Sequence, residues 1–167
     1  MPFDAVFSGN PPGSFPAGGA TVVEGFDTAN MVSWISTPSG GWAPQPGGIT
    51  ARATVNSQTA NNANVLTYAV PVTGFYEINY YEVSVNAPTA ATLPSVTATF
   101  TEAVLGTSTT STSPTVTGVG AAGVVGSGVL NVYAKVGTNI VVATTAYNAG
   151  SGTALSYDVL ARIQYLG

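Results

Sequence analysis

The stretch VLTYAVPVTGFYEINYYEVSV, residues 65–85, decides the fold of this chain. An apolar run stops at Pro71, the chain turns at Gly74, and a long segment of aromatic, β-branched and small residues follows. Proline cannot donate a hydrogen bond to a neighbouring strand, and glycine allows the backbone geometry of a tight corner. The stretch therefore predicts two β-strands joined by a short turn.

The second of these strands has two different faces. Side chains alternate along a strand, so Tyr76, Ile78 and Tyr80 share one face, while Glu77 and Tyr81 lie on the other. The last run of the chain, 155–166, repeats this alternation. The residues that we therefore expect in the core or at an oligomer interface are Ile78, Tyr80, Val159, Ile163 and Tyr165.

Several other segments have the composition of strands. Apolar and polar residues alternate, with many β-branched side chains, in 49–55, 95–101, 129–136 and 140–147. The segment 106–128 is a low-complexity run of Gly, Ser, Thr and Val, and at most residues 115–119 are expected to form a short strand in it. No segment has the apolar spacing of a helix. We predict an all-β chain folded as a jelly-roll β-sandwich.

The composition is poor in charge. Only 6% of the residues are charged and 45% are hydrophobic, whereas about 25% of residues are charged in a typical soluble domain. The mean hydropathy is +0.31. Such a surface must be solvated by uncharged polar side chains or covered by other protein molecules, which favours self-association.

Charge and residue usage exclude several classes of partner and cofactor. The net charge is -4, and the cations are only Arg52, Lys135 and Arg162, so we expect no nucleic-acid binding. The chain has no cysteine and no histidine, which excludes disulfides and thiolate or imidazole metal sites, and no cofactor is expected. It has no signal-peptide pattern and no run long enough for a membrane span, which favours a protein made in the cytoplasm.

Residues 1–48 differ in composition from the remainder. They hold 7 of the 11 prolines and 9 of the 20 glycines, which predicts an extended N-terminal arm before a folded domain at 49–167. Unlike a disordered linker, this arm is apolar. Its aromatic side chains either pack on their own domain or anchor the arm on another subunit or a larger surface. The candidate anchors are Phe3, Phe7, Phe15, Phe26, Trp34 and Trp42.

Four segments carry a resemblance to a known family. They are TYAVPVTGFYEI at 67–78, TLPSVTATFTE at 92–102, YAKVGTNIVV at 133–142 and YDVLARIQYLG at 157–167. Together they resemble the C1q/TNF-like jelly-roll domains of structural proteins of tailed bacteriophages. In that family a strand precedes a Pro-x-x-Gly-x-Tyr corner, which here is Pro71, Gly74 and Tyr76. The resemblance implies a homotrimer in which the inner sheets of three jelly rolls pack around a threefold axis.

Residues that could carry chemistry are few. A carboxylate pair such as Glu77 and Glu102 would serve glycoside hydrolysis if the two met across strands, but solvated or ion-paired carboxylates, such as Glu77 with Arg162, are the expected arrangement. The segment 118–123 matches the glycine pattern of dinucleotide sites, yet no helix follows it. We therefore expect no catalytic or metal site and a protein that is not an enzyme.

The resemblance and the composition together indicate a structural role. We expect a non-enzymatic virion protein, assembled in the host cytoplasm, and most specifically a capsid decoration protein. Its arm would attach it to the major capsid protein or another virion protein. The alternative is a tail-fibre tip or receptor-binding module that recognises a cell-surface glycan or protein. That role needs an aromatic-lined pocket, for which Tyr81, Tyr147 and Tyr157 are the candidates.

Overall fold

The computed structural model describes residues 5–7, 24–28, 32–36, 42–86 and 88–167. Every helix or strand assigned in this part of the chain is a β-strand, which confirms the prediction of an all-β protein. The strands are β1 (Ala5–Phe7), β2 (Glu24–Asp27), β3 (Val32–Ser36), β4 (Trp42–Pro44), β5 (Ile49–Gln58), β6 (Leu66–Ala69), β7 (Gly74–Ser84), β8 (Ala91–Leu93), β9 (Ser95–Thr101), β10 (Ser108–Thr112), β11 (Val116–Val119), β12 (Val125–Ala134), β13 (Asn139–Thr145) and β14 (Tyr157–Tyr165).

The strands form two large sheets and two smaller groups. Sheet I has the order β12-β7-β14-β5, and sheet II has the order β10-β9-β13-β6. All neighbours within these two sheets are antiparallel. Strands β8 and β11 make a separate antiparallel ribbon, and β1 to β4 form a sheet of their own in which β1 and β2 are parallel.

The eight strands of sheets I and II pair in a nested pattern. The first strand, β5, pairs with the last, β14, and β6 pairs with β13. Inside these lie the pairs β7 with β12 and β9 with β10. The eight strands thus form one long hairpin whose successive strand pairs alternate between sheet I and sheet II.

A single hydrophobic core lies between sheets I and II. Its members come from alternate positions of the strands, as expected where one face of each sheet is buried. The structure buries all five residues that the sequence placed in the core or at an oligomer interface, and Ile78 and Ile163 are completely buried. Sheet II contributes Val96, Ala98, Phe100, Ile140 and Val142.

The segment 106–128 contains the short strand expected at residues 115–119, which is β11, but the prediction that the rest of it lies outside strands is wrong. Residues 108–112 form β10, which pairs along its whole length with β9, and β12 begins at residue 125 rather than 129. Low-complexity Ser, Thr and Gly residues lack an apolar pattern of their own, but a neighbouring strand can order them through backbone hydrogen bonds. Within this segment only residues 106–107 and the short connections between β10, β11 and β12 remain outside strands.

The described part of the arm is joined to sheet I at its end. The N–H of Gly47 donates to the carbonyl of Tyr165 at 2.7 Å, and the Gln164 side-chain amide donates to the carbonyl of Gly47 at 2.7 Å. Strand β5 then begins at Ile49, next to the boundary expected at residue 48. The end of the arm is therefore fixed beside the last strand of the chain.

Candidate functional site

The Pro-x-x-Gly-x-Tyr corner has a structural role. Pro71 lies in the turn between β6 and β7, and the buried hydroxyl of Tyr76 donates to the carbonyl of Val72 at 2.7 Å. A Cβ at Gly74 would stand 2.7 Å from Cε2 of Tyr165, so only glycine lets that ring pack against the corner. Burial raises the pKa of Tyr76 well above its ordinary value. The motif thus closes the turn and seats the last strand.

The outer face of sheet I, which points away from the core, is apolar. Six of the exposed large hydrophobic residues lie on its strands. They are Ile49, Phe75, Tyr81, Val125, Val129 and Leu160. The ring of Phe75 is 55% exposed and packs against Tyr133, with 4.6 Å between ring centroids. Exposed apolar side chains grouped on one sheet face are typical of protein contact sites, and here they alternate with polar and charged residues such as Asn79 and Arg162.

The outer face of sheet II is different. No exposed large hydrophobic residue of the described chain lies on a strand of this sheet. Its outward positions are rich in threonine, and the hydroxyls of Thr99 and Thr110 are hydrogen-bonded across β9 and β10 at 3.0 Å. Hydroxyl groups solvate a strand surface without charge. The two faces of the molecule are therefore chemically unequal, with sheet I as the apolar one.

Charged residues also lie on the outer face of sheet I. Arg52 and Arg162 are direct cross-strand partners in β5 and β14, and both are exposed. The expected ion pair between Glu77 and Arg162 is absent from the described structure. Glu77 instead accepts a hydrogen bond from the side-chain amide of Asn79 at 2.6 Å. The only other carboxylate on this face, Asp158, accepts from the backbone N–H of Ser57 at 2.7 Å.

The two carboxylates considered for catalysis have separate partners. Glu77 is on β7 of sheet I, whereas Glu102 follows β9 of sheet II. The Glu102 carboxylate accepts hydrogen bonds from the N–H groups of Val104 and Leu105, at 2.9 and 2.6 Å. It thereby fixes a tight turn whose two apolar side chains are 79% and 75% exposed. This exposed apolar turn is difficult to predict from the sequence, because Val104 and Leu105 look like a continuation of the preceding strand.

The three tyrosines considered for a glycan pocket do not form one. Tyr147 and Tyr157 are neighbours, with ring centroids 5.8 Å apart, but Tyr157 is completely buried. Its hydroxyl is hydrogen-bonded to the Thr144 hydroxyl and donates to the carbonyl of Ala60. Tyr81 is exposed on the outer face of sheet I. Of the three, Tyr81 is therefore the one whose ring is exposed enough to contact a partner.

Glu82 is the one carboxylate in the described chain that lies in the core. It is completely buried, and neither of its carboxylate oxygens has a hydrogen-bond partner. Burial raises its pKa to about 7 because the charged form is poorly solvated there. The signal in the sequence was positional, since Glu82 has the same parity along β7 as Tyr76, Ile78 and Tyr80.

The aromatic residues of the arm are only partly described. Phe3 and Phe15 lie outside the described residues, and Phe7 is in β1 without a described side chain. Phe26 in β2 is half-buried, and Trp34 and Trp42 are buried, at 7% and 9% exposure. This burial of the two indoles corresponds to the alternative in which the arm packs on its own chain. Their role as anchors on a partner stays a prediction.

No metal or membrane element is present in the part of the chain that the structure describes. Those residues bring no group of three or more metal-binding side chains together. They also include no helix with the length and apolarity to cross a membrane. Within the segment 118–123, Gly118 has a positive φ angle at an irregularity inside β11, and Gly123 has one in the turn before β12, so the segment does not begin a helix. No protein-family model, curated protein or solved structure matches the chain.

Proposed function

We propose that this chain is a non-enzymatic structural protein of a tailed-bacteriophage virion, acting as a capsid decoration protein. Residues 49–167 form a C1q/TNF-like jelly roll that assembles as a homotrimer. Residues 1–48 attach this domain to the major capsid protein or another virion protein. The protein is assembled onto particles in the host cytoplasm.

The nested strand pairing supports the jelly-roll interpretation. A jelly roll is a β-sandwich of eight strands in two sheets with Greek-key connections. The pairs β5 with β14, β6 with β13, β7 with β12 and β9 with β10 have this order, four strands to a sheet. The corner at Pro71, Gly74 and Tyr76 follows a strand, as the resemblance implies, and lies between the second and third of the eight strands.

The assembly proposal rests on the chemical difference between the outer faces of sheet I and sheet II. A monomer exposes a threonine-rich sheet II and an apolar sheet I, and covering the second with copies of the chain removes apolar surface from water. Sheet I contains the first and last strands of the jelly roll, and we assign it as the inner sheet that, by the family resemblance, packs around the threefold axis. The threonine-rich sheet would then form the exterior of the trimer.

The carboxylates support a role without catalysis. Glu77 lies on β7 of sheet I, whereas Glu102 lies in the turn after β9, and the two accept hydrogen bonds from different groups. Glu82 is enclosed in the core without access to a substrate. A glycosidase needs two carboxylates facing each other across a substrate-sized gap. Structural and binding functions fit this arrangement better.

The location of the protein on virions tests the proposal. An antibody against residues 49–167 is bound to intact particles, gold-labelled and viewed by electron microscopy. We expect label distributed over the head. Label confined to the tail end would replace decoration by receptor binding, with Tyr81 as the first residue to substitute. Particles without label, from a preparation in which the protein is detected by mass spectrometry after virion disruption, would place it inside and overturn the decoration proposal.

A further inference from the structure

Two of the three cations in the chain are neighbours on the outer face of sheet I. Arg52 and Arg162 are direct partners in the antiparallel pair of β5 with β14. Directly opposed residues in such a pair have Cβ atoms about 5 Å apart, and like charges there destabilise the sheet. In a chain of net charge -4, a second cation beside the first needs a physical reason.

The described structure contains no group that neutralises this pair. No carboxylate of the described residues is within ion-pair distance of either guanidinium. Asp158 is held by the N–H of Ser57, where it stabilises the irregular end of β5. Glu77 is turned toward Asn79, which is itself the direct partner of Arg162 in β7. A carboxylate supplied by a second copy would give this pair a partner that the described residues of its own copy do not supply.

The same face carries a carboxylate and an apolar surround that suit this purpose. Glu77 is half-buried and keeps one carboxylate oxygen outside its hydrogen bond with Asn79. Exposed apolar side chains lie on the same face, among them Phe75 and Leu160. When apolar surfaces meet and exclude water, an arginine–carboxylate pair between them strengthens and fixes the relative position of the partners. The face is thus complementary in charge to a second copy of itself.

We propose that the outer face of sheet I binds a second copy of this chain, with Arg52 and Arg162 of one copy contacting the carboxylate of Glu77 of the other. The inference rests on the self-association in the proposed function and adds the charged contact that sets its register. The planar guanidinium groups suit a carboxylate because each presents paired N–H donors. The contact then offsets one of the two positive charges of the Arg pair and reduces the repulsion between them.

Charge reversal within one chain tests this arrangement. The full chain, of 16.7 kDa, is measured by size-exclusion chromatography with light scattering over a concentration series. We expect R52E/R162E to associate about tenfold more weakly, because Glu then faces Glu77. The triple variant R52E/R162E/E77K should regain the wild-type mass, because opposite charges face each other again. K135E is the matched control, since Lys135 is exposed beyond the end of β12.

The outcomes separate this inference from the proposal on which it rests. Association of R52E/R162E at the wild-type strength would overturn the charged contact and leave self-association in place. A loss that the triple variant does not recover, with an unchanged circular dichroism spectrum, would overturn the assignment of Glu77. A wild-type chain that stays at 16.7 kDa at every concentration would overturn both this inference and the homotrimer. Virion labelling would still test decoration independently.

Discussion

The carboxylate of Glu82 occupies the space that a side chain at Gly126 would need. The two residues are direct partners in the pair of β7 with β12, and a Cβ on Gly126 would stand 2.7 Å from Oε1 and 3.0 Å from Cγ of Glu82. Gly128 and Tyr80 repeat the arrangement two residues along, where a Cβ would stand 2.6 Å from the tyrosine hydroxyl. Glycine weakens an isolated strand, but here it admits the larger neighbour.

Substitution of Gly126 by alanine should therefore destabilise the fold. The added methyl group would force the Glu82 side chain or the β12 backbone to move, at a cost of about 1–3 kcal/mol. Chemical denaturation of Gly126→Ala gives the free energy of unfolding. The control is Ser127→Ala, one residue along β12 and exposed. Equal stability of the two variants would show that the core at Glu82 rearranges without cost.

The buried carboxyl should make stability depend on pH. Burial raises the pKa of Glu82 to about 7 in the folded chain, above its ordinary value of 4.5. The folded state therefore keeps a proton that the unfolded chain releases, so this contribution is fully present below about pH 4.5 and is lost as the pH rises through about 7. We expect the free energy of unfolding to fall by about 3 kcal/mol across this window.

Glu82→Gln should abolish most of that dependence. The amide does not ionise, so the variant should be more stable than the wild type at about pH 8 and differ less from it at about pH 5. Histidine, the usual source of a transition near neutral pH, is absent from the chain. Glu77→Gln, measured at a concentration at which the chain is monomeric, serves as the control because Glu77 is on the opposite face of β7. Parallel pH profiles for the wild type and Glu82→Gln would contradict the prediction.

The Tyr76 hydroxyl should contribute to stability through the corner. Tyr76→Phe removes the hydrogen bond to the Val72 carbonyl while keeping the buried ring, and we expect a loss of about 1 kcal/mol. Tyr81→Phe is the matched control, because the ring of Tyr81 is exposed on the same strand. Thermal unfolding of both variants provides the measurement. If Tyr81→Phe loses stability and Tyr76→Phe does not, the corner is held by its backbone alone.

The apolar residues of sheet I should drive association and not folding. Tyr81 and Leu160 are direct cross-strand partners, and both are exposed. The double substitution Tyr81→Ser/Leu160→Ser should weaken association by about tenfold or more, since it removes apolar area from the contact, with little change in monomer stability. Val104→Ser/Leu105→Ser removes similar apolar area from the exposed tip. If the tip variant is the one that dissociates, the assembly contact lies at that end of the molecule.

The sequence predicts the strands whose residues carry their own pattern. In β7 and β14 the alternation of large apolar residues is strong enough to assign each side chain to a face, and the structure buries that face. The corner is similarly local, because Pro71, Gly74 and Tyr76 act within a few residues of one another. These features depend on neighbours along the chain, which a sequence displays directly.

The missed features depend on neighbours across strands. The glycines of β12 indicate a loop when read alone, and only the register that places Gly126 against Glu82 explains why they belong to a strand. The same register explains the burial of a carboxylate in a chain where carboxylates are expected at the surface. The opposition of Arg52 and Arg162 follows from an irregular pairing with register shifts on either side, which spacing in the sequence does not reveal.

The hydrogen bond from Gly47 to Tyr165 places the beginning and the end of the eight-stranded region side by side. A short linker between these points would join the two ends of the region. New termini can then be made at the exposed turn that contains Val104 and Leu105. A circular permutant made in this way would keep all four nested pairs while its new ends lie at the tip of the innermost one. A peptide fused to the new termini would be displayed at this turn, and the strands β6 and β7 at the Pro71 corner would keep their lengths. The permutant and the original chain would have the same strand pairs but a different order of strands along the chain. The difference between their melting temperatures would therefore measure how much this order contributes to stability.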